Sequence, residues 1–203
     1  DVTDATPIES RDQLVEAIAS GCKPKDNWRV GTEHEKFGFR LADCSPVPYD
    51  GPRGIRQLLE AMEGLLGWQP IIDKGSVIGL TDPVGMGAIS LEPGGQFELS
   101  GAPLDTIHQT RREVNAHLAQ VHECAAPLGL GFLGLGASPK WTRAETPVMP
   151  KSRYAIMARY MPKVSGHGLE MMFRTCTVQA NLDFADEADM VKKLRVGLAL
   201  QPV

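Results

Sequence analysis

Basic residues do not outnumber acidic ones in this 203-residue chain: 21 Lys and Arg stand against 25 Asp and Glu, a net charge of -4. A dedicated nucleic-acid binder needs a basic surface to displace counterions from phosphates, so no nucleic-acid partner is expected. No run approaches the roughly 18 consecutive apolar residues of a membrane span, so no membrane role is expected either. The four cysteines, Cys22, Cys44, Cys124 and Cys176, show no CxxC or other metal-ligand spacing and are too sparse for a disulfide scaffold. They read as small buried thiols in a reducing compartment. There is no GxxxxGK[ST] phosphate loop and no GxSxG elbow. Gly129 to Gly134 match GxGxxG, but inside an apolar strand pattern that runs into Ala137-Ser138-Pro139 and not into a helix. His34-Glu35 begins an HExxH-like string in which Gly38 takes the second histidine's place. His117 and His122, five apart on a predicted helix, are awkwardly spaced for a shared metal and read as surface or helix-packing residues. Asp1 to Pro7 lack the charged-then-apolar layout of a signal peptide. A soluble, cytoplasmic protein is the expectation.

What is present is ordinary globular material, 42% apolar and 23% charged, with no repeat and no convincing linker, so a single domain over 1–203 is expected. Helices are predicted over Arg11 to Ser20 with Leu14, Val15 and Ile18 inward, and after Pro52 with Ile55, Leu58, Leu59 and Met62 on one stripe. Further helices are predicted over Asp105 to Ala126, burying Ile107, Val114, Leu118 and Val121, over Ser152 to Met161, and after Asp186 with Met190, Val191, Leu194 and Leu198 inward. Strands fit Trp28 to Leu41, Gln69 to Asp73, Val77 to Leu80, Ala88 to Glu92, Gln96 to Ser100, Gly129 to Ala137 and Glu170 to Phe184. Helices alternate irregularly with hairpin-like strands, which favours an α+β fold with a mainly antiparallel sheet.

Period-two geometry picks out the chemistry. Glu33 and Glu35 point with Phe37 and Phe39 towards covered space, where paired carboxylates repel and require a cation. Around Pro93-Gly94-Gly95, Glu92, Gln96 and Glu98 alternate with apolar neighbours. In the last strand Thr175, Thr177, Gln179, Asn181 and Asp183 form one polar face. A solvated edge strand would also alternate, but it usually carries Lys, Glu and Arg; short amides, hydroxyls and one acid suit a lined cavity better. Oxygen donors without paired His or Cys suit Mg²⁺ or Mn²⁺, and Mg²⁺ usually bridges carboxylates to substrate phosphates, which points to a nucleoside triphosphate. Lys140, Arg143, Lys151, Arg153, Arg159 and Lys163, against the single acid Glu145, form a candidate anion site. Arg174 adds a possible clamp, its fork matching carboxylate and phosphate geometry.

Four strings, Val30 to Phe39, Ser90 to Leu104, Tyr160 to Val164 and Arg174 to Phe184, resemble the glutamate–cysteine ligase family in the branch shared by plants and proteobacteria. The resemblance runs from about Ser20 to the last residue and implies longer members, of which this chain would be the N-terminal half. It implies a curved, funnel-shaped sheet with helices outside, related to the glutamine synthetase catalytic fold. The implied activity is ATP-dependent ligation of L-cysteine to the γ-carboxylate of L-glutamate through γ-glutamyl phosphate, the first step of glutathione synthesis. On this likeness Glu33, Glu35, Glu92 and Glu98 would hold Mg²⁺; Lys36, Gln96, Gln179 and Asn181 would contact the nucleotide; Arg153 would meet substrate glutamate, with Arg174 as a second catalytic candidate. The C-terminal half would complete the site. Where plant members carry a redox-controlling cysteine, His108 to Val114 has none, which together with the plain start favours a bacterial cytosolic protein. The alternatives are a sibling carboxylate–amine ligase with another acceptor, or a fragment that binds nucleotide without turnover.

Overall fold

A computed structural model describes residues 6–202 of the chain. In order the elements are α1 (Arg11–Ala19), β1 (Val30–Arg40), α2 (Ile55–Leu66), β2 (Gln69–Asp73), β3 (Ser76–Thr81), β4 (Ala88–Leu91), β5 (Phe97–Ser100), α3 (Ile107–Ala125), β6 (Leu130–Leu133), α4 (Ser152–Val164), α5 (Gly168–Arg174), β7 (Val178–Leu182) and α6 (Glu187–Leu200). The fold is α+β, as expected: these seven strands form one open antiparallel sheet in the order β2-β3-β4-β5-β1-β6, with β7 also paired to β1.

The long β1 organises the sheet. In an extended chain the N–H and C=O of one residue point to the same edge. Glu35 donates its N–H to Thr177 O and Leu41 donates to Gly129 O, so β7 and β6 lie end to end along one edge of β1. β5 occupies the other edge. Even-numbered residues of β1 therefore share a face with Phe97, Leu99, Ile89, Leu91 and Leu80, by the registers Lys36↔Phe97, His34↔Leu99, Ile89↔Leu99, Leu91↔Phe97 and Leu80↔Ile89.

Helices α2 and α3 cover that face. The α2 stripe Ile55, Leu58, Leu59 and Met62 is fully buried, and Gly67 ends the helix in the left-handed region at φ 66°. A capping box between Thr106 and Gln109 starts α3. Val121, Cys124 and Ala125 of α3 meet the α2 stripe and the sheet residues in one core. Where the helices press closest, β3 and β4 approach tightly: a Cβ on Gly79 would lie 2.3 Å from Ile89 O.

Several expectations are corrected. Segment 168–174 is helix α5, not the start of a strand, because Leu169, Met172, Phe173 and Cys176 repeat at three-and-four spacing, and Met172, Phe173 and Cys176 are buried. In α3 the buried stripe is Thr110, His117, Val121 and Cys124, while Ile107 and Leu118 are exposed. On that stripe His117 stacks on Phe97 of the sheet at 6.3 Å, and Val121 and Cys124 join the core. Leu14, Val15 and Ile18 of α1, and Val191, Leu194 and Leu198 of α6, are exposed: amphipathic spacing identifies a helix, and a core-facing side forms only where something packs on it.

Candidate active site

The odd-numbered face of β1 carries the acids. Register places Glu35 directly opposite Glu98 of β5, and Glu33 opposite Ser100 of β5 and Gln179 of β7. Glu98 is in turn opposite Ser90 of β4, and Asn181 opposite Gly31. Directly opposed side chains on neighbouring strands start with their Cβ atoms about 5 Å apart, and like charges there are destabilising. The sheet nonetheless places two carboxylates in that relation, with Glu98 only 7% exposed.

Each acid is held by donors that point it along the face. Glu35 accepts from the Thr177 N–H at 3.1 Å and the Thr177 hydroxyl at 3.0 Å. Glu33 accepts from Asn181 Nδ2 at 2.9 Å, and Glu98 from the Ser100 hydroxyl. Gln179 Nε2 donates to Thr177 Oγ1 at 3.0 Å, tying the polar face of β7 into the same net. Glu92 sits in the turn after β4, its carboxylate 3.3 Å from the Tyr154 hydroxyl oxygen. The Arg153 guanidinium, from the first turn of α4, is 3.7 Å from Glu92. Tyr154 anchors that turn by donating to Leu91 O at 2.5 Å.

Electrostatics show the strain of this grouping. The Glu35 carboxyl is pushed up by burial, partly offset by the Thr177 bonds, and raised further by the charges of Glu98 and Glu33. Glu92 is also pushed up, by burial first and by Glu98 next, against the pull of Lys151 and Arg153. Lys151 is pushed down by burial and by neighbouring Arg153. Burial first, and like charge after it, thus raise Glu35 and Glu92, and carboxylates so placed are set up to take a cation or to sit beside developing positive charge.

Among the described residues, no three His, Cys, Asp or Glu side chains come close enough together to enclose a metal ion. The four expected carboxylates thus share a face and sense one another's charge, but do not form a cage: Glu33 is turned to Asn181 and Glu92 to Tyr154 and Arg153. The donor chemistry still suits a hard cation held by one or two carboxylates and completed by water and phosphate oxygens, the usual habit of Mg²⁺. Beside Glu35 and Thr177 a recess of about 270 Å³ opens between the ends of β6 and β7.

Three predicted residues lie elsewhere. Lys36 alternates away from Glu35 onto the helix-covered face, 4% exposed, with its Nζ donating to His34 O at 2.8 Å. Burial pushes its pKa down to about 8. Gln96 is 1% exposed and fully engaged: it accepts from Gly94 N–H and donates to Met172 O and Thr175 O, bracing the turn against α5. Arg174 ends α5, where it pairs with Glu170 at 2.7 Å and donates to Ser138 O at 3.3 Å. Conversely, Thr177, Ser100 and Tyr154 were not singled out as site residues. The alternation of Thr177 with Gln179 and Asn181 was the available signal for the first; nothing local marked Tyr154, whose role depends on a contact across the fold.

Residues 29–203 match the model of glutamate–cysteine ligase family 2. The chain belongs to that family. Among its relatives, the chloroplastic glutamate–cysteine ligase A of Oryza sativa subsp. japonica is 56% identical over 194 residues, 96% of this chain and 38% of that protein. The chloroplastic glutamate–cysteine ligase of Medicago truncatula is 55% identical over 203 residues, 100% of this chain and 39% of that protein. The Arabidopsis thaliana enzyme of that name is 55% identical over 199 residues, 98% and 37% respectively. The chain therefore spans well under half the length of these relatives, consistent with an N-terminal portion of a family ligase. The names also overturn the cytoplasmic expectation: these relatives are chloroplastic plant proteins. A plain start could not decide the matter, because targeting segments are cut from mature chains.

Proposed function

We propose that this chain forms the acidic half of the site of an ATP-dependent glutamate–cysteine ligase, which joins L-cysteine to the γ-carboxylate of L-glutamate at the start of glutathione synthesis. The observation that carries the reading is the Glu35↔Glu98 pair, directly opposed across β1 and β5 with Glu98 buried and, among the described residues, no Lys or Arg ion-paired to either. A carboxylate is a poor acyl donor, so the γ-carboxylate must first take the γ-phosphoryl group of ATP; the amine of cysteine then displaces phosphate from γ-glutamyl phosphate.

In this reading Glu35 and Glu98 hold Mg²⁺ at the phosphates, with Glu33 and Glu92 flanking them. A bound Mg²⁺ would neutralise charge on the transferring phosphoryl oxygens. Thr177 and Ser100 keep the two carboxylates aimed along the open face, so that little reorganisation is needed when substrate arrives. Gln179 and Asn181 line the same face beside the nucleotide. Arg153, already within reach of Glu92, meets the carboxylate of substrate glutamate. The sheet continues into a glutamine synthetase-like funnel, with further substrate contacts contributed by the part of the protein outside this chain.

The test is turnover in the full-length protein. Glu35→Gln and Glu98→Gln preserve size and one acceptor oxygen but remove the charge. Each should lower Mg²⁺-dependent phosphate release by about two orders of magnitude or more while circular dichroism stays unchanged. Near-normal release from either variant removes that residue from the proposed shell.

A further inference from the structure

Six basic residues between Lys140 and Lys163 stand against the single acid Glu145, and the structure sorts them. Lys140 donates to Asp43 O and Arg159 to Ala155 O of its own helix, while the Arg143 guanidinium stacks on Phe173 at 3.8 Å. Lys151 and Arg153 are the two whose charges bear on Glu92. Arg153 meets Glu92 in an ion pair at 3.7 Å. Lys151 has no such partner: among the described residues its Nζ makes no ion pair and no hydrogen bond.

Both cations are fixed to one ring. Lys151 is the residue at which α4 begins, and Arg153 lies in the first turn of that helix. The Lys151 ammonium stands 5.5 Å, and the Arg153 guanidinium 5.3 Å, from the centroid of Tyr154. Tyr154 is 1% exposed and bonded to Leu91 O, so the ring has no room to retreat. An aromatic face steadies a cation without neutralising it. Glu92, Glu98 and Asp73 pull on the Lys151 charge without pairing with it, and Arg153 repels it. Half-buried beside a second positive charge, an unpaired ammonium is costly until an anion joins it.

We propose that Lys151 is a substrate-binding residue that, together with Arg153, holds the α-carboxylate of glutamate. The inference rests on the ligase reading and adds to it the residue that decides which carboxylate reacts. Glu92 feels Lys151 and Arg153 as well as Glu98 and Glu35, whereas neither cation is among the charges acting on Glu35. The cation pair therefore sits at the Glu92 end of the acidic face. The γ-carboxylate must approach the phosphates beside Glu35 and Glu98, so the α-carboxylate falls to the opposite end of the substrate, where the cations are. An ammonium and a guanidinium together suit one carboxylate, each engaging an oxygen through a charge-assisted hydrogen bond.

The experiment is steady-state kinetics of the full-length protein with glutamate and with its α-amide, which keeps the γ-carboxylate and lacks the α charge. Lys151→Met keeps an unbranched chain along Tyr154 and removes the ammonium; Lys151→Gln gives the same reading if the first variant fails to fold. The expected result is a KM for glutamate raised about tenfold or more, an unchanged KM for ATP, and a reduced preference for glutamate over the α-amide. Lys151→Arg, which keeps the charge, should recover that preference. An unchanged KM for glutamate in a variant with wild-type circular dichroism overturns the inference. So does a rise in KM for ATP alone, which would assign the ammonium to phosphate. Wild type that releases no phosphate with glutamate and cysteine overturns the ligase reading itself, whereas normal wild-type turnover beside an indifferent Lys151 variant overturns only the role of this lysine.

Discussion

His117 gives a stability prediction that can be worked through in numbers. Burial pushes its imidazole from 6.5 down to about 3, helped by the positive charges of Lys36 and, when protonated, His34. The unfolded chain takes up a proton at this residue as pH falls through about 6.5, whereas the folded chain refuses it until about 3. The unfolded state therefore binds more protons in that window, and stability is full above it and lost as pH falls. pH 4.5 lies two units below the pKa of the unfolded imidazole, and each unit is worth roughly 1.4 kcal/mol, so His117 alone costs about 2–3 kcal/mol between pH 7 and pH 4.5. His117→Gln removes this titration while keeping a polar side chain of similar size. The assay is urea unfolding followed by circular dichroism at both pH values, for both proteins. Other titrating groups are common to the two and cancel in the difference of differences. Wild type should lose about 2–3 kcal/mol more than the variant on acidification. Losses that agree within about 0.5 kcal/mol, the extrapolation error, would refute the idea that this histidine is held neutral in the fold.

The carboxylate face carries the opposite sign. Burial and mutual repulsion raise Glu35 and Glu92 above 4.5, so the folded state binds more protons just above that value and stability falls as pH rises through the window. Mg²⁺ should therefore raise the melting temperature at neutral pH, by about 5–10 °C at a hundredfold excess over Kd, and not at pH 4; an equal rise at both would dissociate the ion from these acids. Gln96→Leu strands Gly94 N–H and the carbonyls of Met172 and Thr175 and should cost about 2–4 kcal/mol in chemical denaturation. Gln179→Leu, on an exposed strand, should cost less than about 0.5 kcal/mol, and equal costs would deny Gln96 its bracing role. Gly79→Ala drives a Cβ to 2.3 Å from Ile89 O and should destabilise by about 1–3 kcal/mol. Gly64→Ala in α2 meets nothing within 4 Å and should stabilise by up to about 1 kcal/mol. Both effects are read from denaturation midpoints, and a neutral Gly79→Ala would contradict the packing of β3 on β4.

Features set by local pattern were legible in the sequence, and those set by a contact across the fold were not. The α2 stripe could be read because Ile55, Leu58, Leu59 and Met62 all face one core. The buried face of α3 could not: Ile107 and Leu118 satisfy the helical period as well as Val121 does, and contacts across the fold, such as His117 on Phe97, mark the buried side. Alternation put Glu33 and Glu35 on a common face, and the same alternation, carried one residue further, assigns Lys36 to the opposite one. Likeness to a motif ranks Lys36 and Gln96 beside the acids because they are neighbours in the chain, and Arg174 is a clamp candidate only because its fork borders the polar strand. A strand separates such neighbours, and a helix such as α5 turns them to partners of its own. The pairing of Glu35 with Glu98 depends on register, which no single segment specifies.

Register also accounts for how so unfavourable a pair is sustained. A slip of one residue by β5 would exchange its faces, placing Glu98 against the core and Phe97 and Leu99 on the carboxylate side. What resists the slip is the other side of the same strand: Phe97 and Leu99 are buried at 2% exposure or less. Each would lose about 1.5–3 kcal/mol of burial if turned to solvent. Against that total, the repulsion between the two opposed carboxylates is a small cost, about 1 kcal/mol for directly opposed like charges. The apolar face thus holds the acidic face in a geometry the acids alone would reject, and a site able to recruit a cation follows from packing done on the opposite side of the sheet.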